Sequence, residues 1–248
     1  MTRSDEVWKS EALAQTFLQG VRGGIPLAAE QIDVMLRLIA TRERPVERFA
    51  DLGCGNGILA GAILARYPLA SGDLIDFSEP MLAQARVQLQ AYGTHARFIP
   101  ADLASAAWTN AIADRAPFDV IVSGFAIHHL PHTRKQQLYR EIFDVLKPGG
   151  LFINVEHVAS QSDQDAAIFD EYLIDSLYAF HTRTGSGKSR EQVAAEHVHR
   201  PDKAANILAP VEIQCAWLRD MGYQDVDCYL KIFELAVFAG RRPAERDR

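Results

Sequence analysis

The segment Asp51-Leu52-Gly53-Cys54-Gly55-Asn56-Gly57 sits between two stretches of different periodicity. Residues 46–52 form an apolar run of strand length, and residues 58–67 carry an apolar face at helical spacing. Glycines at such a junction let the backbone turn sharply and approach a ligand closely, beside the free amides of a helix N-terminus. The next strand-like run ends at Asp76, 19 residues after Gly57. A carboxylate there suits two hydrogen bonds to the paired hydroxyls of a ribose. A dinucleotide fingerprint GxGxxG beginning at Gly53 requires glycine at position 58, where Ile58 stands, which argues against a nicotinamide-dependent dehydrogenase. The run 185–189 imitates a phosphate loop, but the glycine that motif needs at 182 is Thr182, so the run reads as a hinge.

Working outward, the same alternation continues. A helix is expected over 79–92, a strand over 97–100, a buried strand over 118–123, a helix over 134–146, a turn at 147–150 and a strand over 151–155. Strand–helix–strand order at this spacing predicts a parallel sheet with helices on both faces. Residues 216–221 read as the tail of a helix. The runs 225–228 and 233–238 follow without an intervening helix and suggest a closing hairpin. Two regions break the alternation. The first 45 residues look helical over 7–17 and 31–40, and 159–210 holds a helix in which Phe169, Leu173, Leu177 and Phe180 share a face. The expected division is a helical cap over 1–45, a core over 46–158, a helical lid over 159–210 and a closing unit over 211–248.

Twenty-six Lys and Arg against 32 Asp and Glu give a formal net charge of -6, which argues against the basic footprint of a nucleic-acid-coating protein. Cys54, Cys215 and Cys228 form neither a disulfide framework nor a zinc knuckle. With no signal-peptide pattern and no apolar run near the ~20 residues of a membrane span, a cytoplasmic protein is expected.

DLGCGNG, followed by LIDFS, PADLA, FDVIVSGFAIHHL and LKPGGLF, resembles the class I S-adenosylmethionine-dependent methyltransferases over residues 46–155. The ending WLRDMGY-QDVDCYLKIFELAVFAG resembles that family's terminal helix and strand pair. The resemblance implies an α/β, Rossmann-like, doubly wound seven-stranded sheet with its last strand antiparallel, and S-adenosylmethionine as cofactor. Carried over by position, Gly53, Gly55 and Gly57 lie against the methionine part of the ligand. Asp76 holds the ribose, Asp102 meets the adenine amino group, and Met81 packs on the adenine. Ser123, Gly124 and Phe125 face the sulfonium, and Asp51, Cys54, Phe77 and Leu103 flank these positions.

A methyltransferase chiefly aligns a nucleophile with an activated methyl group, aided by a base when that nucleophile carries a proton. His128 and His129 follow one strand end, and Glu156 and His157 follow the next, where open α/β sheets place ligands. These four are the candidate catalytic residues. His-His-Leu-Pro-His at 128–132 lacks the i, i+4 pairing of zinc enzymes, so no metal is expected. His197 and His199 read as solvated. Arg22 and Tyr178 are candidate substrate contacts; the insert 181–203, with Arg183, Lys188, Arg190, Arg200 and Lys203 against Glu191, Glu196 and Asp202, reads first as a solvated face and otherwise as a site for an acidic group on the acceptor. No [DN]PP[YF] motif of amino-methylating enzymes on nucleic acid is present, which favours a small-molecule acceptor methylated at oxygen or nitrogen. Two other readings compete: a sulfonium-binding enzyme with different chemistry, as in the carboxy-S-adenosylmethionine synthases, and an inactive cofactor-binding partner. A homodimer is left open.

Overall fold

The computed structural model describes residues 3–16, 22–200 and 202–244. Its centre is a seven-stranded sheet formed by β1 (Arg48–Leu52), β2 (Ser71–Asp76), β3 (Ala96–Pro100), β4 (Phe118–Gly124), β5 (Leu146–His157), β6 (Gln224–Ile232) and β7 (Leu235–Arg241). Their order is β3-β2-β1-β4-β5-β7-β6. All neighbours are parallel except β7, which runs antiparallel to both β5 and β6. The expected doubly wound architecture with a reversed last strand is therefore present.

The interior strands read as unbroken apolar runs because both of their faces are covered. On one face Trp108, Tyr139, Phe152 and Phe238 pack with α5 (His132–Val145) and α8 (Val211–Asp220). On the other, Met35, Phe49, Ile63 and Leu64 pack with α2 (Ala28–Ala40) and α3 (Ile58–Arg66). The residues expected as a turn at 147–150 form an excursion inside β5. Leu146 pairs with Phe118 and Leu151 with Val120, and the intervening residues bulge out.

Two helices differ from expectation. The stretch 7–17 is split: a 3-10 turn over Ser4–Lys9 and the short α1 (Glu11–Thr16) meet at Ser10, whose backbone is extended. Phe17 lies outside the described residues. The stretch 79–92 is α4 (Glu79–Gln88) followed by a 3-10 turn over Gln90–His95, where Gly93 leaves the helical region. Between β5 and α8 lie α6 (Asp163–Arg183) and α7 (Arg190–Val198). Phe169, Leu173 and Leu177 of α6, Val193 of α7 and Leu235 of β7 make a separate apolar cluster that seats this insert on the sheet. Among the described residues no helix is long and apolar enough to cross a membrane.

Candidate active site

The carboxyl ends of β1, β2, β4 and β5 open into a cavity of about 400 Å³, roofed by α6, α7 and the Ser4–Lys9 turn. The loop after β1 is tied to the neighbouring strand by the amides of Gly53 and Cys54, which donate to the carbonyl of Ile75 at 2.8 and 3.0 Å. Gly53 has a φ of 67°, and a Cβ on it would lie 2.2 Å from the Cβ of Ala126. Only glycine lets the loop pass that close to the β4 loop. Gly55 also has positive φ, but a Cβ there would meet nothing within 4 Å. Its neighbourhood is open cavity, which leaves room for a ligand against the backbone.

The Asp76 carboxylate closes this loop. Its Oδ2 accepts from the Gly55 amide at 2.8 Å and its Oδ1 from the Ser78 amide at 2.8 Å. Burial pushes the Asp76 carboxyl up to about 6, against the pull of these amides. Asp51 accepts from the amide of Ala60 at 3.1 Å, which caps the start of α3. Asp51, Gly53, Cys54, Gly55, Asp76, Phe77, Met81, Asp102, Leu103, Gly124 and Phe125 all line the cavity, with Asn56 and Ile58 added from the same loop. A paired carboxylate, an open glycine turn and a second acidic group at Asp102 fit the ribose, methionine and adenine portions of S-adenosylmethionine.

Two residues assigned to the cofactor stand elsewhere. Ser123 is fully buried in β4 and donates its hydroxyl to the carbonyl of Leu52 at 2.7 Å, so it does not reach the cavity. Gly57 precedes α3 and packs under Leu89 and Leu74 rather than lining the cavity. The apolar strand pattern hides the outcome at Ser123, because it does not say which way a strand-end side chain points; Gly57 turns away because it already caps α3.

On the floor, His128 Nδ1 lies 2.6 Å from Glu156 Oε1. Glu156 is fully buried behind the histidine and does not line the cavity; its Oε1 also accepts from the His157 amide at 2.9 Å. Burial, with His157 and Lys135 adding to it, holds His128 well below the usual imidazole range. Burial likewise raises the Glu156 carboxyl. With Nδ1 donating to the carboxylate, Nε2 carries the lone pair and has no partner among the described residues. His129 lines the cavity too, with Nδ1 3.3 Å from the Ala205 carbonyl, and burial pushes it down to about 3. His157 reaches the cavity with Nε2 2.8 Å from Glu234 Oε2.

The remaining substrate candidates do not converge here. Tyr178 is exposed on α6 and does not line the cavity, and the side chain of Arg22 lies outside the described residues. His197, read as solvated, is buried on α7 with Nε2 2.7 Å from Asp170 Oδ1, whereas His199 is exposed. The insert contributes Asp170, His197, Arg200, Asp202, Lys203 and Asn206 to the cavity wall. The signal that reveals α7 in the sequence is Ser189 with Gln192, a reciprocal capping box present in the structure. Among the described residues no His, Cys, Asp and Glu side chains are grouped to hold a metal ion.

A family profile described as a methyltransferase domain matches residues 49–150. The carboxy-S-adenosyl-L-methionine synthase of Aeromonas hydrophila is 26% identical over 241 residues, which is 95% of this chain and 90% of that protein. The protein of that name from Nitratiruptor is 25% identical over 206 residues, 82% of this chain and 79% of the relative. Among solved structures, an O-methyltransferase family protein from Burkholderia thailandensis superposes with a TM-score of 0.66 at 16% identity. Human N-acetylserotonin methyltransferase in complex with S-adenosylmethionine superposes with a TM-score of 0.61 at 14% identity. These superpositions cover 98% and 96% of this chain, which spans only 64% and 58% of the two proteins' lengths. The glycine turn, the acidic pair and these likenesses agree: residues 49–150 match a methyltransferase domain, and the sheet built around them has the fold of the S-adenosylmethionine-dependent methyltransferases.

Proposed function

We propose that the protein transfers a methyl group to a hydroxyl of a small-molecule acceptor, with His128 as the base. The observation that carries this reading is the buried His128–Glu156 pair at the cavity floor. S-adenosylmethionine supplies a methyl group already activated by its sulfonium, so the protein needs alignment and a place for one proton. A neutral imidazole, kept unprotonated by burial, offers its Nε2 lone pair to that proton. Glu156 fixes the tautomer from behind and stabilises the imidazolium once it forms. The acceptor oxygen bonds to the methyl carbon as the carbon–sulfur bond breaks, and the hydroxyl proton passes to His128. The spent thioether leaves uncharged at sulfur. Phe125, Phe169, Leu173 and Leu235 give the acceptor an apolar wall.

The test is transfer of a labelled methyl group into a pool of hydroxylated metabolites. Label is expected in a methyl ether, and H128Q is expected to lower kcat by about 10²–10⁴-fold, the range of a lost general base. No labelled ether from any hydroxylated pool overturns the reading.

A second reading is favoured by a specific pair of observations. A carboxy-S-adenosyl-L-methionine synthase is similar over 95% of this chain, and the guanidinium of Arg200 lies at the cavity wall, its Nε 3.2 Å from Asp202. A cation there suits a carboxylate-bearing co-substrate. The mass of the nucleoside that copurifies with the chain separates the two: a carboxylated sulfonium replaces the methyl-transfer reading with this one.

A further inference from the structure

The cavity holds a second histidine–carboxylate pair that methyl transfer to a single hydroxyl does not use. Glu234 follows Phe233 in the tight turn between β6 and β7, where a polar side chain ordinarily faces solvent. The burial is inverted: Phe233 is 41% exposed and Glu234 only 7%. Burying a carboxylate is costly unless it is paired, and its partner is His157 at 2.8 Å. Both residues line the cavity.

The His157 and His128 rings lie 5.6 Å apart, edge to face. In each ring one nitrogen is committed to a carboxylate, Nε2 of His157 to Glu234 and Nδ1 of His128 to Glu156. The second nitrogen of each has no partner among the described residues. Where each neutral ring donates to its carboxylate, its remaining nitrogen is a hydrogen-bond acceptor. A ligand that satisfies the pair therefore brings two donors. At about 2.8 Å per bond, nitrogens on rings this close are reached by oxygens on neighbouring carbons, not at opposite ends of a molecule. Phe169 stands beside His157, ring centres 5.6 Å apart, and joins Leu173, Leu235 and Phe125 in an apolar wall suited to a flat frame.

We propose that His157, held by Glu234, is the specificity-determining residue of the acceptor site, and that the acceptor is a vicinal diol on a flat, apolar frame. One hydroxyl goes to His128 and is methylated; its neighbour donates to His157. The inference rests on the hydroxyl-methylation reading above, and deepens it.

The experiment compares catechol with phenol as acceptors of the full chain with S-adenosylmethionine. One added hydrogen bond is expected to give catechol about a tenfold higher kcat/KM. H157L is expected to raise KM for catechol and bring the catechol-to-phenol ratio close to unity, while H157Q, whose amide oxygen still accepts, keeps part of it. E234Q, which retains the turn, is expected to lower the same ratio and serves if H157L does not fold. A pair that only pins the hairpin to β5 would change both acceptors alike and leave the ratio intact. Equal use of phenol and catechol by the unmodified chain, or a ratio unmoved by either substitution, overturns the diol inference while hydroxyl methylation stands. If neither compound is turned over, binding to the S-adenosylhomocysteine-loaded chain is read by calorimetry. Catechol binding that H157L weakens supports the inference, and no preference for catechol over phenol overturns it.

Discussion

Asp76 ties the glycine loop together, and in the reading proposed above it also holds the ribose of the cofactor. Its two oxygens each receive a backbone amide, which fixes the Gly55 turn and the start of α4. The same burial that makes these bonds strong raises its pKa to about 6. A raised carboxyl binds its proton more readily in the fold than in a free chain, so it is ionised only above that value. As the proposed acceptor for the ribose hydroxyls, Asp76 would act in its ionised form. Affinity for S-adenosylmethionine is therefore expected to be level at neutral pH and to weaken toward tenfold per unit as pH falls below about 6, read by calorimetry across pH 5–8. An affinity flat across that range would show that Asp76 is not the group that binds.

At the scale of elements, the joint between floor and lid is a lysine. Lys135 of α5 is fully buried, and its ammonium donates to three backbone carbonyls. Those of His128 and Ile207 lie at 3.3 and 2.5 Å, and the third belongs to Leu130. The Ile207 amide returns a bond to the His128 carbonyl at 2.9 Å. One side chain thus stitches the histidine turn to the chain leaving the lid. Burial pushes Lys135 down to about 8, with Glu156 pulling the other way. K135M would strand the inward-facing carbonyls of Leu130 and Ile207 and leave that of His128 with the Ile207 amide alone, and it is expected to lower unfolding free energy by about 3 kcal/mol in urea titration. A loss below about 1 kcal/mol would mean that the carbonyls find other donors.

Elements were legible in the sequence where burial is two-sided. The run 118–123 reads as strand because every position of β4 up to Ser123 is buried, and Gly53–Asp76 spacing follows from a single strand–helix–strand unit. The insert was only half legible. Along α6 the buried Phe169, Leu173 and Leu177 recur at helical spacing, but α7 buries only Val193 and His197, too few to register as a face. Glu234 was illegible for a stronger reason. A Phe-Glu turn predicts the phenylalanine inside, and the structure reverses it because His157 draws the carboxylate inward. Directions of strand-end side chains, as at Ser123, depend on contacts far away in sequence and leave no local mark.

At the scale of the whole molecule, the Ser4–Lys9 turn lies across the cofactor end of the cavity. Its Arg3 neighbour bridges Asp102 at 2.8 Å, the Trp8 carbonyl accepts from the Ser78 hydroxyl at 2.6 Å, and Asp5 and Trp8 line the cavity. The turn also touches the Lys203–Ala205 segment through which the lid returns to the sheet. Opening one end of the cavity is therefore expected to disturb the other. The two ligands are then expected to be thermodynamically linked: whatever factor the nucleoside adds to the acceptor's affinity, the acceptor adds to the nucleoside's. Calorimetry of S-adenosylhomocysteine with and without a bound acceptor, repeated with R3A, is expected to show that reciprocal factor and its decline once the bridge to Asp102 is gone. Independent binding in both proteins would refute the linkage. The bridge itself is half-exposed and individually weak. Its significance lies in bookkeeping between sites: a contact too slight to stabilise the fold can still set how strongly one ligand informs the other.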